Sequence, residues 1–300
     1  MRHSEKSIGV VGVPGAWSTQ RLFEAVAGRV DQAVLIDLGA VRLDLTTGEA
    51  LSPTGDGALI DLTTLDAIMV KKLGLRYTPH LLDRLEVLRY VEQRGVRVFS
   101  RPDSIGRLLD RMACTVALRA GDVPMPDTIL TEDITAAAEI VREFKTAVLK
   151  PLYTTKARGM RVVRAEEDVT AVLEDYRAAG NQVFYIQRKV ALPGRDLGVS
   201  FVGGEYLASY ARVGGGGSWN TTIRAGGKYE PADPPSDIID LAHRAQALFD
   251  LDFTCVDIAE TEHGPLVFEV SAFGGFRGLR EAHGIDAADA FTNHVLRQLA

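Results

Sequence analysis

A segment near the carboxyl end of the chain places two acidic side chains within apolar, strand-like sequence. The runs 253–260 and 265–271 flank a short polar turn around His263, which predicts an antiparallel hairpin. In that register, Asp257 lies directly opposite Glu269. Facing carboxylates repel each other across a sheet, and apolar neighbours raise the cost because they exclude water.

A divalent cation between the two carboxylates would resolve this conflict. Mg²⁺ prefers oxygen ligands and is usually held by one or two carboxylates together with substrate phosphates. Ser271 follows Glu269 by two residues and lies on the same strand face, so its hydroxyl offers a third oxygen. The alternative is a solvated acidic face at a sheet edge, and the pattern alone leaves both interpretations open.

Lys150 ends an apolar strand and precedes a polar loop, 153–159, which carries Lys156 and Gly159. A lysine charge combined with loop amides and hydroxyls suits phosphate oxygens, so this arrangement predicts a lid over phosphates. The motif of a P-loop is absent. An ordinary exposed hairpin is the alternative. If the lid interpretation holds, this loop and the glycine tract 214–217 are predicted to be mobile without nucleotide.

Two further features suit a nucleoside. The run 185–190 places the amide of Gln187 within an apolar strand, whose edge can bind adenine through backbone groups and the Gln187 oxygen. Asp196 follows a turn at Gly194-Arg195 and would accept hydrogen bonds from ribose hydroxyls. Each feature alone is unspecific, because surface strands commonly carry such residues.

The amino-terminal third alternates strand and helix patterns, whereas the rest of the chain does not. Its predicted strands are 7–13, 33–38, 67–71 and 96–100. This alternation predicts a small doubly wound sheet, with Thr19 as the cap of its first helix. Lys71 and Lys72 end the third of these strands, where such sheets place ligands, so they either bind a substrate carboxylate or are solvated.

Composition restricts the partners of this chain. The net charge is −6 and no long basic run occurs, which argues against nucleic acid. Apolar runs are short and interrupted by charge, so no membrane span is expected. The two cysteines, Cys114 and Cys255, sit in separate apolar segments, as is typical of buried reduced thiols. We therefore expect a cytoplasmic protein.

Together these motifs resemble the ATP-grasp superfamily, and within it the RimK-like branch of amino-acid ligases. That branch closes with the pattern V-D-(x)11-E-V-N-A-S-P-G, and here Val256-Asp257 is followed by 269–275, EVSAFGG. Lys150, the run 185–190 and Arg212 occur in the expected order. The resemblance spans nearly the whole chain.

The resemblance implies α/β and α+β architecture, an ATP-grasp fold with an N-terminal Rossmann-like (pre-ATP-grasp) domain. It implies that domain at 1–101, a central subdomain with the phosphate lid at 102–188, and a carboxy-terminal subdomain with the metal site at 189–300. It also implies ATP and Mg²⁺, with Mn²⁺ as an alternative metal. The expected partners are a carboxylate and an amine, as small molecules or peptides, and homo-oligomer formation is left open.

The resemblance further implies a role for each matching residue. Contacts to ATP are expected from Arg111, Lys150, Lys156, Gly159, Gln187, Lys189, Val190, Asp196 and Phe268, the last packing under the base. Metal ligation is expected from Asp257, Glu269 and Ser271. Catalytic roles are expected from Arg212, which would face the γ-phosphate, from Lys150, and from Arg277, which would grip an acidic substrate.

The implied reaction begins when a carboxylate attacks the γ-phosphate of ATP, which gives an acylphosphate and ADP. An amine then displaces phosphate and forms the amide, so the protein mainly positions groups and neutralises charge.

Four departures from the family pattern predict a divergent member. Ser271 replaces the usual metal-binding Asn, and Asp110-Arg111 replaces an Asp-Lys pair. The phosphate loop has one glycine, and the family's Trp-x-x-Asn segment reads WNTT at 219–222. These departures keep two alternatives open, a non-ligating regulatory or scaffold module that binds ATP and an ATP-grasp phosphotransferase. A dinucleotide oxidoreductase is disfavoured, because the early glycines lack G-x-G-x-x-G spacing.

Overall fold

Four β-sheets and nine α-helices occur in the part of the chain that the computed structural model describes, residues 4–55, 57–155, 157–214 and 226–300. The strands are β1 (Ser4–Val11), β2 (Val30–Ile36), β3 (Arg42–Asp44), β4 (Glu49–Pro53), β5 (Leu59–Asp61), β6 (Ala67–Val70), β7 (Arg97–Phe99), β8 (Thr128–Thr131), β9 (Thr146–Leu149), β10 (Arg161–Arg164), β11 (Phe184–Arg188), β12 (Arg195–Val202), β13 (Glu205–Val213), β14 (Lys228–Ala232), β15 (Phe253–Thr261) and β16 (Gly264–Ser271). The helices are α1 (Trp17–Ala27), α2 (Leu81–Gln93), α3 (Pro102–Leu109), α4 (Arg111–Ala120), α5 (Ile134–Phe144), α6 (Val169–Ala178), α7 (Ser236–Ala247), α8 (Phe276–His283) and α9 (Ala287–Leu299).

The amino-terminal sheet is parallel and has the strand order β2-β1-β6-β7, which confirms the predicted doubly wound arrangement. The predicted helix cap is wrong. Helix α1 begins at Trp17, and Thr19 is fully buried with its hydroxyl accepting a hydrogen bond from the Val13 amide at 3.2 Å. Thr19 therefore stabilises the loop after β1 instead of the helix end.

Two features between the predicted elements were missed. Strands β3, β4 and β5 form a small antiparallel sheet of their own. The spacing of Ile105, Leu108, Leu109 and Met112 predicts one helix that begins near Asp103. The structure divides it in two at Asp110, whose carboxylate caps α4 by accepting from the Met112 amide at 2.9 Å. Helix α4 packs against β16, so Arg111 at its start lies beside the acidic hairpin.

The central sheet has the order β10-β9-β11-β8, and helices α5 and α6 cover it with a separate apolar core. The carboxy-terminal sheet is antiparallel, with the order β14-β13-β12-β15-β16. Strands β12 and β13 form the hairpin that the turn residues Gly203-Gly204 predict, and the register of the acidic hairpin pairs Asp257 with Glu269 as predicted. Directly after that pair a bulge leaves Phe268 without a cross-strand partner.

The amino-terminal and carboxy-terminal sheets share an apolar core. Side chains from β1 and β6, such as Ile8 and Met69, cluster with Phe253, Phe276 and Phe291 of the carboxy-terminal part. None of the helices in the described residues combines the length and apolar character needed to cross a bilayer.

Candidate active site

The acidic hairpin brings two carboxylates together, and Asp196 of the neighbouring strand β12 lies near them. Asp257 and Glu269 are cross-strand partners, and their side chains are 22% and 39% exposed. Burial raises the pKa of Asp257 above its ordinary value; Arg212 opposes this effect, while Asp196 and Glu269 add to it. Two further carboxylates thus lie close to Asp257, and a bound cation would favour the charged form of all three.

The donor atoms available beside this pair are oxygens. Ser271 ends β16, and its hydroxyl accepts a hydrogen bond from the Phe273 amide at 3.4 Å. Among the described residues, no group of three His, Cys, Asp or Glu side chains is arranged to hold a metal by itself. A carboxylate pair with a hydroxyl is instead the ligand set of a hard cation that completes its shell with water and phosphate, so these residues fit Mg²⁺.

Among the described residues, Arg212 is the cation nearest to the carboxylate pair. Its guanidinium contacts Asp257 at 3.0 Å and donates to Asp196 from Nε at 3.0 Å and from Nη2. Burial alone would lower the pKa of Arg212, but Asp257 and Asp196 outweigh burial and hold the side chain charged. Because the Asp196 carboxylate accepts hydrogen bonds from Arg212, it lies on the side of the site that carries the carboxylate pair, the metal side. Its ribose role stays a prediction.

Asp257, Glu269 and Arg212 form one wall of the site, on the carboxy-terminal sheet. Lys150 follows β9 and belongs to a second wall, on the central sheet. It is 7% exposed and donates to the Gln187 oxygen at 2.5 Å, while the Gln187 amide nitrogen donates to Thr128 at 3.0 Å. The ammonium lies 5.4 Å from the centroid of the Phe268 ring. The expected contact between the Gln187 oxygen and adenine therefore requires exchange of this hydrogen bond, and it also stays a prediction.

Arg111 connects the two walls. It donates to the backbone oxygens of Pro151 at 3.1 Å and Thr154 at 3.0 Å, and its Nη1 lies 3.8 Å from a Glu269 oxygen. Burial lowers the pKa of Lys150 to about 7, with Arg111 adding to that effect and Glu269 opposing it. Lys150 and Arg111 are thus held close enough to repel each other, with Glu269 as the anion beside them, an arrangement that phosphate groups would stabilise.

Tyr77 lines the same cleft, and the sequence analysis missed it. It reaches Glu269 and Phe268 from the loop after β6, and its ring packs edge-on against Phe273 at 6.4 Å between centroids. Burial and the neighbouring Glu269 raise the pKa of Tyr77. It lies in an irregular segment seven residues after β6, so no strand or helix pattern marks it in the sequence.

The remaining ATP-side predictions have mixed outcomes in the structure. Lys156, the glycines 215–217 and the segment 219–222 lie outside the described residues, so the predicted contacts and mobility there are not addressed. Gly159 adopts a positive φ of 67° and lies next to Pro151 in the loop after Lys150. Lys189 and Val190 follow β11, where the Lys189 amide donates to the Thr146 oxygen at 3.0 Å.

Arg277 does not join the group around Asp257 and Lys150. Its guanidinium lies 5.5 Å from the Trp17 ring centroid and 3.6 Å from Glu281. It lines a cavity of about 250 Å³ between α1 and α8, together with Arg21 and Arg280. Asp286 holds both of these arginines by ion pairs. The structure thus places Arg277 in a basic pocket at the first turn of α8.

A family model described as a RimK-like ATP-grasp domain matches residues 109–295, which contain every predicted site residue. This chain belongs to the RimK-like ATP-grasp family. A tetrahydromethanopterin:alpha-L-glutamate ligase of Methanocaldococcus jannaschii is 28% identical over 79% of this chain and 81% of its own length. A probable alpha-L-glutamate ligase of Syntrophotalea carbinolica is 26% identical over 94% and 92%.

A solved relative supports the same fold. The ATP-grasp ligase PsnB, complexed with a precursor variant, Mg and ADP, matches 99% of this RimK-like chain and 100% of its own, at 21% identity and a TM-score of 0.74. The predicted ATP-grasp fold is therefore confirmed. The prediction of an ATP-dependent ligase that forms amide bonds is confirmed at the level of the enzyme class, since the curated relatives are ligases.

Replacing Lys150 by Met tests the buried ammonium through the pH dependence of stability. With a native pKa of about 7 and an ordinary value of 10.5, unfolded Lys150 binds more protons than native Lys150 between these pH values. Wild-type stability therefore gains from rising pH in this window, and the variant lacks that gain. The free energy of unfolding of wild type relative to Lys150→Met should rise between pH 7 and 9, by at most about 1.4 kcal/mol per unit.

The measurement is chemical denaturation of the ligand-free protein at several pH values in that range. The exposed Lys145 offers a matched control, because Lys145→Met removes an ammonium that is already in water. Parallel pH profiles for wild type and Lys150→Met would contradict a lowered pKa at this site.

Proposed function

We propose that this RimK-like protein is a Mg²⁺- and ATP-dependent carboxylate–amine ligase whose reaction centre lies between the Asp257–Glu269 pair and Lys150. The observation that carries the proposal is the meeting of these two walls. The carboxylate pair with Arg212 forms one wall, and Lys150 with Gln187 forms the other. Arg111 touches the lid loop and lies near Glu269, so it spans the gap between them.

In the proposed reaction, an oxygen of the substrate carboxylate bonds to the γ-phosphorus of ATP while the bond to the β–γ bridging oxygen breaks and ADP leaves. The amine nitrogen then bonds to the acyl carbon, loses a proton, and expels phosphate. Mg²⁺, when bound, neutralises phosphate charge. The protein's own cations do the rest: Lys150 and Arg111 hold the phosphates, and Arg212 offsets charge on the transferred phosphoryl group.

We propose that one substrate is acidic and that Arg277 binds a carboxylate which does not react. Its pocket supplies three arginines and one glutamate, and a planar guanidinium matches a carboxylate with two parallel hydrogen bonds. The Arg277–Glu281 pair is half-exposed, so an incoming carboxylate can replace Glu281 at little cost. The relatives named as glutamate ligases favour an acidic amino acid or a peptide that ends in one.

The nature of the metal and the cell compartment are parts of the same proposal. We expect Mn²⁺ to substitute for Mg²⁺, because the ligands are oxygens. We also keep the cytoplasmic location, on the grounds of the two buried free cysteines. A measurement of the molar mass of the protein in solution would show whether the chain forms a homo-oligomer.

The experiment that tests this function is an ADP-release screen with amino acids and small diacids in pairs, followed by mass spectrometry of the products. A ligase gives ADP and phosphate only when acid and amine are both present, and the product mass equals their sum less water. ATP binding without any ADP release points to the regulatory module. A phosphorylated product without an amide points to the phosphotransferase.

Arg277→Gln is expected to raise the KM of the acidic substrate by about 10- to 100-fold, with a smaller change in kcat and none in the KM of ATP. The loss should be confined to substrates with the extra carboxylate, so the corresponding amide should be used equally well by both proteins. Arg244→Gln, on the exposed face of α7, is the matched control. An unchanged KM for the acidic substrate would remove Arg277 from the site.

A further inference from the structure

Lys71 is a charged side chain buried between the amino-terminal and carboxy-terminal sheets. It directly follows β6 and is only 2% exposed. Its ammonium lies 4.0 Å from the ring centroid of Phe276 and 5.9 Å from that of Phe253. An ammonium withdrawn from water costs free energy unless nearby groups stabilise its charge. The groups around Lys71 must therefore offset the cost of burying it among apolar side chains.

The compensation does not come from a carboxylate. Within the described residues Lys71 forms no ion pair, and its acceptor is the backbone oxygen of Phe273 at 2.8 Å. The two aromatic faces add electrostatic stabilisation, and Cys255 also lies near the ammonium. Burial lowers the pKa of Lys71 to about 7, and the neighbouring Lys72 adds to that effect. Burial contradicts the solvated interpretation of Lys71, whereas its binding of a substrate carboxylate stays a prediction.

The acceptor belongs to the short loop 272–275, which connects β16 to α8. One end of this loop is Ser271, whose hydroxyl accepts from the amide of Phe273. The other end is Phe276, the first residue of α8, and Arg277 follows it. Lys71 therefore contacts the loop at its middle and at its far end, and through the loop it connects the metal side with the basic pocket.

We propose that Lys71 is a positioning residue that fixes loop 272–275 against the amino-terminal sheet and so holds Ser271 and Arg277 at a set distance from each other. It acts through the loop and contacts neither the carboxylate pair nor the Arg277 guanidinium. The kinetic consequences rest on the proposed ligase function, but the ordering of the loop does not.

Lys71→Met keeps the length of the side chain and removes both its charge and its donor. For the acid–amine pair that gives most ADP in the screen, we expect kcat/KM of the acidic substrate to fall about 10- to 100-fold. The Mg²⁺ concentration for half-maximal rate should rise, while the KM of ATP stays within about twofold, because Lys150 and Gln187 are on another wall. Lys71→Arg keeps a donor and should recover most of the loss.

Amide hydrogen exchange of the ligand-free protein tests the loop without any enzymatic activity. In Lys71→Met we expect peptides covering 271–278 to exchange at least about tenfold faster, with the sheets unchanged. Lys145→Met is the surface control and should leave the pattern as in wild type. Lys71→Arg should restore protection of the loop.

The outcomes separate this inference from the proposed function. Unchanged exchange at 271–278 in folded Lys71→Met overturns the inference, whatever the activity of the wild type. Faster exchange throughout the molecule, not restored by Lys71→Arg, assigns Lys71 to general stability and also overturns it. Faster exchange at the loop alone supports it even if wild type releases no ADP, a result that would count only against the ligase.

Discussion

Asp257→Asn and Glu269→Gln should each lower Mg²⁺-dependent ADP release by about a thousandfold or more while the protein stays folded. Each change keeps the shape of the side chain and one oxygen but removes the negative charge that holds the metal. The fold should survive because Arg212 retains Asp196 as a partner after the first change, and Glu269 is 39% exposed. Removing one of two facing carboxylates also relieves their repulsion.

The measurement is ADP release at saturating ATP over a range of Mg²⁺ concentrations, with thermal denaturation of each variant as the test of folding. Glu262→Gln makes the same chemical change at the tip of the same hairpin, where the side chain is 80% exposed, and should behave like wild type. Turnover near the wild-type rate in both site variants would place the metal elsewhere and remove the central argument for the ligase.

The register behind this prediction could be read from the sequence because it depends on local chemistry. A polar turn at 261–264 fixes which residues pair, and the strand period then fixes which side chains share a face. The parallel amino-terminal sheet was readable for the same reason, since strand and helix patterns alternate with short connections. Such features need no knowledge of distant contacts.

The partners of the charged residues could not be read in this way. Lys150 with Gln187, Arg111 with the lid backbone and Lys71 with Phe273 each join segments at least 37 residues apart. No local pattern determines which acceptor a buried lysine will reach, because that depends on how the sheets pack. The break at Asp110 was missed for a related reason: its apolar flanks continue the helical period, and only the cap reveals two helices.

The small sheet β3–β5 was missed because its strands are short and only β4 carries buried side chains, those of Ala50 and Ser52. Within a stretch of only three residues, the alternation of buried and exposed side chains that marks a strand cannot be distinguished from a loop. The same limit applies to Tyr77, which lies in an irregular segment. Functional side chains presented by loops are therefore the part of this site that the sequence reveals least.

Arg212→Gln should lower ADP release by about 100- to 1,000-fold, the usual cost of removing a preorganised donor from developing charge. Unlike the metal-site changes, it should also destabilise the ligand-free protein, by about 3–5 kcal/mol, because it leaves buried carboxylates without their cation. Arg212→Lys keeps the charge but not the fork that reaches Asp196 and Asp257 together, so its effects should be intermediate.

Because Arg212 is given two tasks, a double variant can separate them. Adding Asp196→Asn to Arg212→Gln removes one of the two carboxylates left without a cation, so the free energy of unfolding should recover in part while ADP release stays low. Arg195→Gln, one strand away in an exposed pair with Glu260, should change stability by no more than about 1 kcal/mol and leave the rate intact. If the double variant regains activity along with stability, Arg212 serves only to hold the sheet together, and the charge on the transferred phosphoryl group must be met by Lys150 and Arg111 alone.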